Sequence, residues 1–293
     1  MELLRRSAMT AFCRLLLGLL MAFVPLTAFA GNLYTTIDFP AASTTEVLGV
    51  NAQGHVVGMY VEGTAVRGFV FDGNKYVTVR VPDAKLTIAT GINDSRQIVG
   101  WYADGVGAHG FVSDGGGFKT YDYPGATYTF FYGISNAGQI AGIYQVGSGQ
   151  RHGFVFDGHT YRTVDPPGDY AFLTVSGVNK AGEIVGTVSQ SENSDSSHGF
   201  REHDGVFRSL NVPGVASANA QGVNDNGVIV GPSKGLEGGK DGCFLLKEGA
   251  FSDVSFPGAS STDCTGINVA GQIVGGYLDA GGVGHGFMIT PQK

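Results

Sequence analysis

Four histidines recur in one tripeptide, His-Gly-Phe, at His109, His152, His198 and His285. Near neutral pH an imidazole serves as a general base, a proton shuttle or a metal ligand. A metal centre needs such groups to converge within bonding distance of one ion. Spread through separate stretches of chain, these four are expected instead to hydrogen-bond neighbouring backbone. Asp165, Asp169, Glu202 and Asp204 are the carboxylates that could pair for glycoside cleavage, which needs two carboxyls flanking one bond; their spacing gives that chemistry no support. Gly-x-Ser-x-Gly, His-Glu-x-x-His and Walker-type loops are absent. No catalytic set is expected.

Aromatic residues offer a different chemistry. Tyr128, Phe130, Phe131 and Tyr132 follow Pro124, Tyr170 and Phe172 follow Pro167, and the single tryptophan, Trp101, stands beside Tyr102. Flat amphipathic rings next to polar loops can stack sugar rings or grip peptides, while alternate members of such runs fill cores. The ligand-binding candidates are therefore Trp101, Tyr102, Tyr128, Phe130, Tyr132, Tyr170 and Phe172. The loops at 189–197 and 232–241 are the longest of their kind. The first carries Glu192, Asn193 and Asp195, oxygen ligands of the sort Ca²⁺ takes. Without EF-hand or RTX spacing the expectation is a solvated loop and no cofactor.

The elements that must position these residues are repeated. Gly-(Val/Ile)-Asn, a short turn, then Gly-x-(Ile/Val)-(Val/Ala)-Gly recurs six times, starting at Gly49, Gly91, Gly133, Gly177, Gly222 and Gly266. Successive starts are 42, 42, 44, 45 and 44 residues apart, a period that points to a propeller or a solenoid. Each period alternates as four short strands. In the second copy they cover about 87–92, 97–102, 109–112 and 118–123, and no helix is expected. Asn at the first turn position and Gly at the fourth suit a turn ending in a left-handed residue. Arg96 takes that glycine's place in the second copy and should be strained.

The ends of the repeat array are offset. Residues 33–39 copy a fourth strand, while 285–290 copy a third strand and stop. If the two pair, each strand type is present six times and a ring closes without exposed edges. The fold class expected is therefore all-β, a six-bladed β-propeller of four-stranded blades, closed by 33–39 joining the C-terminal blade.

Together the Gly-x-Asn turn, Gly-x-(Ile/Val)-x-Gly and His-Gly-Phe followed by Asp-Gly resemble the bacterial "probable extracellular repeat, HAF family". The resemblance spans nearly all of 33–290. Arg67 replaces the histidine in the first copy, and the fifth reads Asp241-Gly242-Cys243-Phe244. It implies a repeat-built exported protein and says little about activity.

Export is also written at the N-terminus. Arg5, Arg6 and Arg14 precede or open an apolar run that Pro25 breaks, and Ala28-Phe29-Ala30 supplies small residues for cleavage. The domains expected are a signal peptide, 1–30, and one propeller domain, 31–293, secreted or periplasmic. Of 18 basic and 25 acidic residues, the leader holds those three arginines and Glu2, leaving 15 against 24 and a formal charge of −9. That balance excludes nucleic acid and, after cleavage, membrane surfaces as partners. In an oxidising compartment Cys243 and Cys264 are a disulfide candidate, with two free thiols the alternative. The function expected is a monomeric binding module for a glycan or protein, with no catalytic activity evident. The alternatives are a secreted glycan hydrolase or lyase with its site at the channel, and a purely structural surface repeat.

Overall fold

The computed structural model describes residues 31–190, 197–235 and 241–292. The expected leader, the oxygen ligands Glu192, Asn193 and Asp195, and the middle of the 232–241 loop lie outside these residues. Every helix or strand among them is a β-strand. β1 is Leu33–Ile37. The first copy of the repeat follows as β2 (Thr44–Val50), β3 (Val56–Glu62), β4 (Ala65–Phe71) and β5 (Tyr76–Val79). The second is β6 (Leu86–Ile92), β7 (Ile98–Ala103), β8 (Ala108–Ser113) and β9 (Phe118–Tyr121). The third is β10 (Tyr128–Ile134), β11 (Ile140–Gln145), β12 (Arg151–Phe156) and β13 (Tyr161–Val164). The fourth is β14 (Phe172–Val178), β15 (Ile184–Ser189), β16 (His198–His203) and β17 (Val206–Leu210).

In the fifth copy the first strand is split into β18 (Ser217–Ala218) and β19 (Gly222–Val223). β20 (Ile229–Lys234), β21 (Gly242–Lys247) and β22 (Ala250–Val254) complete it. The sixth has only β23 (Ser261–Ile267), β24 (Ile273–Leu278) and β25 (Gly284–Thr290) of its own. Its fourth place is taken by β1, which pairs antiparallel with β25 from Leu33↔Thr290 to Ile37↔Gly286. Each copy is thus an antiparallel meander, with strands β2-β3-β4-β5 as the simplest case.

The repeated motif builds the blade and the joints between blades. In the first strands, alternate residues such as Thr45, Val47 and Gly49 are buried while Glu46 and Leu48 stay half-exposed, so one face packs and the other lines the centre. A bulge shifts the register between Val47 and Gly49, and again at Ala89/Gly91, Phe131/Gly133, Val175/Gly177 and Cys264/Gly266. The bulge accounts for the last glycine of the repeated motif. A Cβ on Gly100 would stand 2.0 Å from the Ile88 carbonyl oxygen and 2.9 Å from the Phe111 ring. Phe69, Phe111, Phe131, Phe154, Phe244 and Phe287, one from each blade but the fourth and two from the third, are fully buried in the layers so formed.

The asparagine turns join the copies. Asn51 Oδ1 accepts from the backbone of Gln53 and His55, which fixes its own turn. Its Nδ2 donates to Asn93 O of the next copy at 3.2 Å. The same link runs from Asn93 to Ser135 O, Asn179 to Asn224 O, Asn224 to Asn268 O, and Asn268 to Asn51 O at 2.8 Å. That last bond connects the sixth copy to the first, as does Thr265 Oγ1 donating to Val47 O at 2.8 Å. Arg96 holds the left-handed conformation that glycine takes in the sister turns, with φ 63°.

Candidate functional site

Two ends of the first strands behave differently. At one end the residues before the asparagine turns are Val50, Ile92, Ile134, Val178, Val223 and Ile267, one branched apolar residue per copy around a narrow gap. At the other end, the strand position four residues earlier holds Glu46, Ile88, Phe130, Thr174, Asn219 and Asp263. These sit across from Met59, Trp101, Ile143, Thr187, Pro232 and Gly276 on the second strands. Here a cavity of about 560 Å³ opens, lined from all six copies.

The cavity has an aromatic side and an acidic side. On β7 and β10, the Trp101 and Phe130 rings meet edge-on at 4.6 Å, and Phe130 lies 5.0 Å from Tyr128 and 6.4 Å from Tyr132. Phe172 extends the wall, with the Arg151 guanidinium over its ring at 5.3 Å. Tyr128 hydroxyl donates to Gln145 and accepts from Arg151 Nε at 3.4 Å. Strand alternation does this sorting: Phe131, between Phe130 and Tyr132, is fully buried in the core. Burial pushes the Tyr132 phenol up to about 12.

Opposite, the carboxyls of Glu46 and Asp263 face each other across the joint between the first and sixth copies. Burial, then the Asp263 charge, holds Glu46 above the usual carboxylate range. Burial, then Asp241, raises Asp263, with Lys234 pulling the other way. Gly276 stands beside the pair, where a Cβ would lie in ordinary contact 3.5 Å from Glu46 Cγ. A smaller cavity of about 220 Å³, lined by Glu46, Asp263, Gly276, Tyr277 and His285 among others, adjoins on this side. Between the two sides runs a belt of hydroxyls and amides that includes Thr90, Ser176, Thr187, Gln221 and Thr265. Among the described residues, no group hydrogen-bonds the side chains of Glu46, Asp263, Trp101 or Tyr132.

Of the residues singled out from sequence, Trp101, Tyr132 and Phe172 line this cavity and Phe130 and Tyr128 pack behind them. Tyr102 and Tyr170 do not join them. Tyr102 hydroxyl bonds Thr120 Oγ1 at 3.0 Å and its ring leans on His109; Tyr170 packs on the core cluster of Leu173 and Val175. Tyr128 to Tyr132 lie in strand β10 rather than in a loop.

The histidines differ from expectation in their partner. His109, His152 and His285 bond carboxylates through Nδ1, to Asp122 at 2.9 Å, Asp165 at 2.7 Å and Asp38 at 2.9 Å. Each also stacks on a tyrosine, Tyr102, Tyr144 or Tyr277. They clamp the third strand to the end of the fourth. Two of the four carboxylates weighed for catalysis are likewise occupied: Asp165 by His152, and the buried Glu202 by Arg162 at 3.3 Å. Sequence reasoning missed Glu46 and Asp263. The signal was available in the aligned copies, where both stand at one strand position that is otherwise uncharged. Among the described residues no group of three or more potential ligands could hold a metal ion. Cys243 and Cys264 form a disulfide with Cα atoms 5.8 Å apart, tying the third strand of the fifth copy to the first strand of the sixth.

Solved structures share this architecture. The chain is similar to a putative TolB from Agrobacterium tumefaciens, 14% identical over 70% of this chain and 74% of that one, with a TM-score of 0.54. It is similar to the Aleuria aurantia lectin in complex with α-methyl-L-fucoside, 12% identical over 87% and 93%, TM-score 0.51. A streptogramin B lyase matches at 15% identity over 87% of each chain, TM-score 0.50. The fold is that of β-propeller proteins. At such identities the likeness extends to the fold alone. No family model matches the chain, and no curated protein is similar to it in sequence.

Proposed function

We propose that the chain is an exported, six-bladed β-propeller, closed by β1, that binds a glycan in the cavity at the wide end of its channel. The ring reading is supported by the β1–β25 pairing and the Asn268–Asn51 bond. The export reading, to the periplasm or outside the cell, rests on the leader-like first thirty residues and the resemblance to HAF repeat proteins. Binding as a monomer, with a protein ligand as the alternative, completes it.

One observation carries the binding reading. Positions that a blade requires are the same in every copy, so residues that differ from copy to copy at equivalent positions answer to something else. Those residues converge on the 560 Å³ cavity. There they present flat rings, which suit the apolar faces of sugars, and polar side chains such as Glu46, Asp263, Thr187 and Gln221, which suit hydroxyls. A glycan array probed with the wild-type chain and with Trp101→Ala/Tyr132→Ala/Phe172→Ala tests it. Binding that the triple substitution abolishes supports the site; ligands bound equally by both proteins rule it out.

A second reading, a glycan-acting hydrolase, draws on Glu46 and Asp263. Two carboxyls on one cavity wall are the kind of pair that a glycosidase divides into general acid and base. Release of reducing ends that Glu46→Gln and Asp263→Asn each abolish would establish it; intact oligosaccharide after incubation with the wild type would dismiss it.

A further inference from the structure

We infer that the glycan taken by this cavity carries free amino groups, with the protonated amine seated between Glu46 and Asp263. The inference rests on the glycan-binding reading and narrows it to a substrate class. It starts from the two cavities. The 560 Å³ and 220 Å³ spaces share Glu46, Ser261 and Asp263, so the acid pair is reachable from both. No described group hydrogen-bonds either carboxyl. Two carboxyls on one cavity wall with no such partner, Glu46 half-buried and Asp263 exposed, repel one another until a proton or a cation comes between them.

The other groups around the pair do not remove this need. Asp241 adds a third acidic charge beside Asp263, and Lys234 is the cation on that side. Tyr277 and His285 border the smaller cavity, and His285 is already engaged by Asp38 and, at 3.6 Å, by Asp279. Tyr132 stands across the larger cavity as a neutral phenol. The net field at the pair is negative. An ammonium group there meets two carboxylates, and the adjoining sugar rings reach the Trp101, Tyr132 and Phe172 wall, where ring faces also favour a nearby cation. A neutral acetamido group offers the acids no charge. A lysine peptide would satisfy the acids and leave the Trp101, Tyr132 and Phe172 wall without a sugar face and the Thr187 and Gln221 side chains, which no described group hydrogen-bonds, without a hydroxyl partner, so the polyol is favoured.

Calorimetric titration of the full chain with fully deacetylated and fully acetylated β-1,4-glucosamine tetramers, and with tetralysine, tests this. The deacetylated tetramer is expected to bind at least ten-fold more tightly than either other probe. Its affinity should fall as pH drops and the acid pair takes up protons. Glu46→Gln and Asp263→Asn, each checked for an unchanged circular dichroism spectrum, should reduce the preference to under three-fold. Equal or tighter binding of the acetylated tetramer or tetralysine overturns the inference, as does a preference that survives both substitutions. If the acetylated tetramer binds and Trp101→Ala abolishes it, the glycan reading stands and only the amino-sugar assignment falls. If neither tetramer binds, both fall.

Discussion

His285 and Asp38 are separated by almost the whole described chain, yet Nδ1 of one lies 2.9 Å from Oδ2 of the other. The pair repeats, between the two ends of the chain, the bond that His109–Asp122 and His152–Asp165 make within a blade. It is joined by Thr36 Oγ1–Tyr277 OH at 3.0 Å and by the Phe256–Tyr277 stack, which stands where Tyr123–Tyr144 does in the third copy.

That bond should make stability depend on pH. The hydrogen bond to Asp38, chiefly, raises the His285 pKa above its ordinary 6.5. A raised imidazole stabilises fully below 6.5 and loses its contribution as pH climbs through the raised value. The melting temperature should therefore decline on the alkaline side of neutrality, and Asp38→Asn should flatten that decline. Thermal melts from pH 5 to 9 decide the matter; an unchanged profile in Asp38→Asn contradicts it.

Deleting residues 33–39 should cost far more than trimming a frayed terminus, because it bares the whole edge of β25. A broad or low-temperature melt is expected, with raised aggregation. Melting within a few degrees of the intact chain would mean that β1 does not close the last blade.

The disulfide should matter similarly. It spans 21 residues and ties the fifth copy to the sixth. A cross-link over a loop of that size contributes about 3 kcal/mol. Cys243→Ala/Cys264→Ala, or reduction, should lower the denaturant midpoint accordingly, and an unchanged midpoint would refute the contribution.

Two substitutions should stabilise. Arg96→Gly removes a left-handed arginine (φ 63°) and should gain about 1 kcal/mol. Ser135 is the one turn residue that is not asparagine, and no bond links its side chain to the fourth copy. Ser135→Asn should add the missing link to the Asn179 carbonyl, for about 1 kcal/mol. Urea midpoints that fall in either variant would count against the turn account.

The blade was legible because its demands recur. A bulge needs Gly100, a turn needs Asn93, and six repetitions made both visible without coordinates. The offset of 33–39 likewise announced the β1–β25 pairing. Three things stayed hidden. The histidine partners lie outside the tripeptide that drew notice, thirteen residues on for His109 and His152 and at the other end of the chain for His285. Tyr102 and Tyr170 look like mouth residues in sequence and are claimed by the packing of their own blades. Glu46 and Asp263 belong to the first and last copies, and only the contact between those two copies brings them together.

Trp101 offers the most direct test of the binding account, since it is the chain's single tryptophan and lines the cavity. Titrating the protein with the best ligand from a glycan array while following tryptophan emission reads that wall alone. A saturable change in emission, with the same midpoint as calorimetry, is the result predicted. A ligand that saturates by calorimetry and leaves the emission unaltered would place the binding site elsewhere.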